Sequence, residues 1–359
     1  MGRSARRKIQ RSDTSRSAVD GASSASSISL CMIAKDEAVN LPRCLDSVRG
    51  VVDEMIVIDT GSTDATVEIA QKYGARVESA VWTGDFSAAR NAALAHATGD
   101  WILVLDADEA LASASRGRLR KVLSKTEADG LQIRIRNLSA PGELVAHVDM
   151  PLTRVFRNVP EHRFEGVIHE QIGPSIERRG GRIAPSDLLI IHYGYAQSTV
   201  QGSLSRADRN LAALKRAIAD RPLDAYLQYQ AGCTYRALQD DVQAKAALEA
   251  ALRLDVEHRL SIHVRSTIYA KLAQIELARH EDREAVRLAK ASLELVPEGA
   301  VALQILALGS LSTGDPQLAH DAFVAVRRQP NLNPQHVADV EKMIDVLRTE
   351  LARGRDRGT

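Results

Sequence analysis

The chain has 359 residues, enough for two or three domains, and its 45% hydrophobic and 26% charged residues are those of an ordinary globular protein. A net charge of +1 supplies no field to gather nucleic acid or an anionic membrane. No apolar run approaches the roughly 20 residues that cross a bilayer, so nucleic-acid binding and transmembrane roles are both excluded as expectations.

Residues 1–27 carry Arg3, Arg6, Arg7, Lys8, Arg11 and Arg16, then a Ser/Ala/Gly stretch. No apolar segment follows the charges, so a disordered basic, Ser-rich tail is expected rather than a secretory signal. The three cysteines, Cys31, Cys44 and Cys233, lie far apart without metal-ligand spacing. They read as reduced thiols, those at 31 and 44 buried, in a cytoplasmic protein that is at most peripheral at the inner membrane face.

From Ile28 strands and helices alternate. Ile28 to Ala34 is a first buried strand, and Leu41, Cys44, Leu45 and Val48 then recur at helical spacing. Met55 to Asp59 is a second strand. Asp64 is placed to cap a helix through Val67, Ile69 and Ala70, which Gly74 ends. Ala75 to Ala80 is a third strand, and Phe86 to His96 an Ala-rich helix closed by Gly99. The fourth strand, Trp101 to Leu105, stops abruptly at Asp106-Ala107-Asp108-Glu109. This alternation predicts a parallel α/β sheet, in which ligands bind beyond the carboxyl ends of the strands. Three carboxylates in four positions repel one another unless a cation joins them, and hard oxygens suit Mg²⁺ or Mn²⁺. Taken alone, the run is equally a solvated acidic turn. Shorter β segments follow at Leu131–Arg136, Leu152–Arg157 and Leu188–Tyr193.

After Tyr195 strand signals vanish. Gly232, Tyr235, Ala244, Leu248 and Ala251 fit the small/large pattern of a 34-residue helix-turn-helix repeat. Ala273, Ala285 and Pro297 fit a second copy, set off by an inserted loop, and Ala307, Ala319 and Phe323 a third, with Gly314-Asp315 in its turn. Small residues there allow close helix approach, so tetratricopeptide-like repeats are expected in preference to an irregular bundle. The organisation read from the sequence is therefore a tail at 1–27, an α/β domain at 28–195 and a helical repeat domain at 196–359.

Four local patterns, each where a strand opens into the cleft, carry a family resemblance. They are Ile33-Ala34-Lys35-Asp36-Glu37 with Asn40 and Leu41, Ile58-Asp59-Thr60-Gly61-Ser62-Thr63-Asp64, Phe86-Ser87-Ala88-Ala89-Arg90-Asn91, and Asp106-Ala107-Asp108-Glu109. In this order they resemble glycosyltransferase family 2, of the GT-A fold. Arg154-Val155-Phe156-Arg157-Asn158, Phe164 to Glu170 and Ile191 to Tyr195 are similar to members with C-terminal repeats and to lipopolysaccharide-core glucosyltransferases.

The resemblance implies an inverting, metal-dependent transfer of sugar from a nucleoside diphosphate, a UDP-sugar above all. The acceptor would be an envelope glycan, a lipid-linked glycan, or a protein or peptide. Asp108 would coordinate the divalent metal, Mn²⁺ or Mg²⁺, with Asp106 on the metal or the ribose and His192 as a third ligand. Asp59 would accept from the nucleobase, with Ala34 and Glu37 lining the same pocket. Arg90 would pair with a phosphate or with Asp106. The general base is expected among Glu170, His169 and Glu165, with Glu170 first. His192, His169 and Glu170 each also read as ordinary hydrogen-bonded structural residues. The repeats would bind the acceptor, a protein partner or a second copy. Two alternatives stand beside this reading: a catalytically inactive nucleotide-sugar-binding scaffold, and a nucleotidyltransferase. No glycine-rich dinucleotide or P-loop pattern is present to support redox chemistry or nucleotide hydrolysis.

Overall fold

The structure, a computed structural model, describes residues 26–139, 143–168, 170–194 and 200–356. The expected tail to residue 25, His169 and the Tyr195 boundary lie outside the described residues.

Eight strands form one sheet in the order β3-β2-β1-β4-β7-β6-β8-β5. They are β1 Ile28–Ala34, β2 Glu54–Asp59, β3 Arg76–Ser79, β4 Trp101–Val104, β5 Glu109–Leu111, β6 Gly130–Leu138, β7 His147–Arg157 and β8 Ile183–His192. β1 is apolar along nearly its whole length because it is covered on both faces, as a central parallel strand requires. It lies between β2 and β4 and runs parallel to both. Helices α1 (Leu41–Val48), α2 (Thr66–Lys72) and α3 (Phe86–Leu94) make the crossovers. The register sets Ala34 beside Asp59 and Cys31 beside Val104, so the chain leaves β1, β2 and β4 on one side of the sheet. That side is the topological switch point where a ligand crevice belongs.

The other half of the sheet is mixed. β7 runs antiparallel to both β4 and β6, β6 is parallel to β8, and β5 is antiparallel to β8. The sequence does not predict β5. It has three residues and begins inside the acidic run, too short for any periodicity to register. β7 starts five residues earlier than its apolar pattern suggests, because its first half is exposed. Asp64 does not cap α2, whose N-cap is Ala65 with no side-chain bond. Its carboxylate instead accepts from the Ala38 and Thr66 amides, joining two loops. Cys31 and Cys44 are buried in the sheet layers, and burial pushes the Cys31 thiol up to about 12.

Three short helices complete the sheet region: α4 Ser113–Arg116, α5 Leu119–Leu123 and α6 Gly173–Arg178. Helix α7, Val200–Asp220, then leads into three antiparallel pairs. The pairs are α8/α9 (Ala225–Ala237, Asp241–Leu254), α10/α11 (Ile262–Ala278, Asp282–Leu295) and α12/α13 (Ala300–Ser312, Pro316–Arg327), followed by α14, Pro334–Asp356. The expected small positions are where these helices touch: Ala244, Ala251, Ala273, Ala285, Ala307 and Ala319 are all fully buried. A Cβ on Gly232 would stand 2.6 Å from Leu248 Cγ, so only glycine admits the α8–α9 approach. The extra residues between the first two copies form the loop 255–261. No described helix is long and apolar enough to cross a membrane.

Two contacts tie the helices to the sheet. Leu214 and Ala217 of α7 pack with Ile168 and Phe86. The tip of the β6–β7 hairpin reaches the far end of the repeats, where Val145 pairs with Leu332 and Ala146 N–H donates to the Asn331 carbonyl at 2.8 Å. Leu144 and Val145 are buried in the core of the helical region. The helices therefore hold the same hairpin that carries β7 into the cleft.

Candidate active site

The crevice is a cavity of about 870 Å³ at the carboxyl ends of the strands. Its floor begins where β1 and β2 end. Asp36 accepts from the Thr63 amide at 2.7 Å, and Glu37 N–H donates to Thr66 Oγ1 at 2.8 Å, so the first two sequence patterns are bound to one another. Ala34 and Glu37 line the cavity, and Thr60, just after the second strand, adds to its wall. Asp59 is buried, and its carboxylate accepts from the amides of Gly61 and Ser62 at 3.1–3.2 Å.

Beyond β4 lies a charge network. Asp106 receives Arg90 Nη2 on Oδ1 at 2.6 Å and Arg154 Nη2 on Oδ2 at 2.8 Å. Arg90 Nε also pairs with Glu170 Oε1, and Arg154 pairs with Glu109 at 2.7 Å. Burial raises the Asp106 carboxyl, but Arg154 and Arg90 together outweigh it and hold that carboxyl well below the usual carboxylate range. Burial also pushes the Glu109 carboxyl up, to about 7, with the Asp106 charge adding to the rise and Arg154 opposing it. Arg90 Nη1 is buried with no hydrogen-bond partner among the described residues, a donor in the wall without an acceptor. Of the two partners expected for Arg90, the structure shows Asp106, together with Glu170.

Asp108 stands apart from this network. Its Oδ2 is 3.3 Å from His192 Nε2, while His192 Nδ1 is 2.8 Å from Asn137 Oδ1. With the Asn137 oxygen as acceptor, Nδ1 carries a proton, and Nε2 either donates to the Asp108 carboxylate or, with a divalent ion between them, would offer it a lone pair. Burial lowers the His192 pKa, but the hydrogen bond and charge of Asp108 overcome it and raise it. Gly194 covers the pair. A Cβ there would stand 2.3 Å from Asp108 Oδ2 and 2.6 Å from His192 Nε2, so glycine is what leaves the two side chains room. Of the three expected metal ligands, the structure brings Asp108 and His192 together and gives Asp106 to arginines. No cluster of three His, Cys, Asp or Glu side chains suited to a metal occurs among the described residues. Two protein ligands still suit a divalent ion that takes its remaining oxygens from substrate phosphates and water. Gly194→Ala is expected to weaken Mn²⁺-dependent nucleotide binding by about 10–100-fold, the usual effect of disturbing a ligand's surroundings. Calorimetric titration of UDP with Mn²⁺ checks this; unchanged affinity would show that the pair does not hold the ion.

Residues 29–170 match the family described as Glycosyl transferase family 2. These residues form a family-2 glycosyltransferase domain. A TPR repeat-containing protein of Synechococcus elongatus is 44% identical over 206 residues, covering 56% of this chain and 50% of that protein. The SPbeta prophage-derived glycosyltransferase SunS of Bacillus subtilis is 32% identical over 142 residues, 39% of this chain and 33% of that one. The chain thus spans half or less of these curated relatives. A solved glucosyl-3-phosphoglycerate synthase of Mycobacterium tuberculosis, in complex with Mn²⁺, uridine diphosphate and phosphoglyceric acid, has 25% identity and a TM-score of 0.38. It covers 53% of this chain and 77% of that one.

Within the family-2 domain, the candidate bases separate. Glu170 lines the cavity with 9% of its side chain exposed, and Arg90 fixes its Oε1. Glu165 turns outward and pairs with Arg178 at the surface. The residues that sequence reasoning misses are Arg154, Glu109, Asn137 and Gly194. Arg154 belongs to one of the family-like patterns, but nothing local assigns it a role. That role depends on the β4–β7 register, in which Val155 faces Leu103, so the preceding arginine arrives at the acidic turn.

Proposed function

We propose that the protein is an inverting, metal-dependent glycosyltransferase that moves a sugar from a UDP-sugar to an envelope glycan or a protein or peptide acceptor. In this reading residues 28–195 carry the chemistry and residues 196–359 present the acceptor or a partner. The observation that carries it is the Asp108–His192 pair beneath Gly194, on a cavity whose wall also holds Arg90 and Glu170. A divalent ion bound by Asp108 and His192 would neutralise charge that develops on the departing diphosphate. Arg90 Nη1 supplies a fixed donor for an oxygen anion and has no such partner among the described residues. Asp106 and Glu170 hold that guanidinium in place. Glu170, oriented by Arg90 through one oxygen, takes the acceptor hydroxyl proton with the other.

The test is nucleoside diphosphate release from UDP-glucose and UDP-N-acetylglucosamine with Mn²⁺, then with EDTA. The expected result is UDP release that chelation stops. UDP binding without release would favour the nucleotide-sugar-binding scaffold, for which an Asp106 already neutralised by two arginines is well suited. Pyrophosphate release would instead identify a nucleotidyltransferase. Proton NMR of the anomeric signal reads the stereochemistry.

A further inference from the structure

Helix α7 brings two arginines, Arg209 and Arg216, to the wall of the same cavity. They stand about two helical turns apart and share a flank of the helix. Ala212 and Ala213 lie between them on the wall and leave the space in front of them open. The rotation of the helix is fixed, because Leu214 and Ala217 are buried against Ile168 and Phe86. Arg216 Nη1 reaches across to the loop before α3, 3.6 Å from where a Cβ of Gly84 would lie.

These arginines differ from the two deeper in the cleft. Arg90 and Arg154 are spent on Asp106, Glu109 and Glu170. Arg209 and Arg216 are exposed, and neither makes an ion pair or side-chain hydrogen bond with a described residue. Two like charges held on one flank repel, and an anion between them relieves this. Guanidinium forks match carboxylate and phosphate oxygens in pairs. Their helix also lies beside the proposed base. Asp108 and His192 lie at the ends of β4 and β8, whereas α7 packs on Ile168, two residues from the base Glu170.

We propose that Arg209 and Arg216 form an anion subsite for the acceptor, which carries a phosphate or carboxylate close to the hydroxyl that receives the sugar. This rests on the glycosyltransferase reading and narrows its acceptor class. It also gives the helical region a part in the chemistry: helix α7 selects what the cleft accepts.

The test uses the full chain with Mn²⁺ and saturating UDP, titrated calorimetrically with glucose 6-phosphate, glucuronate and glucose. The expected result is binding of at least one anionic probe about tenfold tighter than glucose, from one or two charge-assisted contacts. The phosphate and carboxylate arms tell the two anions apart. Arg209→Gln with Arg216→Gln should erase that preference and leave UDP affinity within about twofold. Both positions are exposed, so the variants keep the fold, and the single substitutions check this. Three outcomes overturn the proposal: no preference for anions, a preference untouched by the double substitution, or a larger loss of UDP than of probe affinity. The last would assign the arginines to the donor diphosphate. If wild type fails to bind UDP, the glycosyltransferase reading fails, while the anion preference measured without UDP still decides the subsite.

Discussion

Asp108→Asn is expected to reduce UDP release by about 10²–10³-fold, the loss that follows removal of a charge-stabilising group from a closed site. The substitution preserves shape and changes only charge and donor character. The new carboxamide would still reach His192 but would offer a neutral oxygen to a hard cation, and Mn²⁺ affinity should fall with turnover. Asp106→Asn makes the sharper comparison, because Asp106 faces Arg90 and Arg154 instead. Its loss should lower the melting temperature and loosen Arg90, with a smaller change in metal affinity. Measuring Mn²⁺ binding, UDP release and melting temperature for both variants separates the two carboxylates. Equal metal loss in both would return Asp106 to the coordination shell. A fully active Asp108→Asn would remove the metal from the mechanism.

The ends of β1, β2 and β4 are legible in the sequence because a strand covered on both faces must be apolar throughout, and polarity then returns abruptly. Ile28 to Ala34 and Trp101 to Leu105 show this, and each break marks the crevice. Helical repeats are legible for a similar reason: Gly232 and the buried alanines recur because helix contact distance demands small side chains. The antiparallel half is harder to read. Val148, Met150 and Leu152 are apolar yet exposed, so the first half of β7 has no burial pattern to betray it. Arg154, Asn137 and Gly194 come from three separate segments, and only the pairing of β4 with β7 and of β6 with β8 brings them to the acidic turn. Pairing partners of strands distant in the chain leave no local trace. The same holds for Leu144 and Val145, whose burial depends on a helical region that begins more than fifty residues later.

Arg90→Leu is expected to cost about 3–5 kcal/mol of stability, because it strands the buried carboxylate of Glu170 without its partner. Both side chains of that pair are nearly closed to solvent, at 8% and 9% exposure. The Asp106 contact adds less, since 34% of that side chain stays open to the cavity and Arg154 still neutralises it. A loss of this size lowers the melting temperature by on the order of 10 °C. Turnover should fall as well, because Arg90 orients Glu170, the proposed base, and holds the Nη1 donor in the wall. A second substitution distinguishes the two effects. Adding Glu170→Gln to Arg90→Leu removes the stranded charge and should recover part of the stability. It should recover none of the turnover if Glu170 is the base, as proposed. Recovery of both would mean that Glu170 is structural and that another group takes the acceptor proton. Recovery of neither would mean that Arg90 is held chiefly by Asp106, and that the network rather than the Arg90–Glu170 pair is the unit of stability.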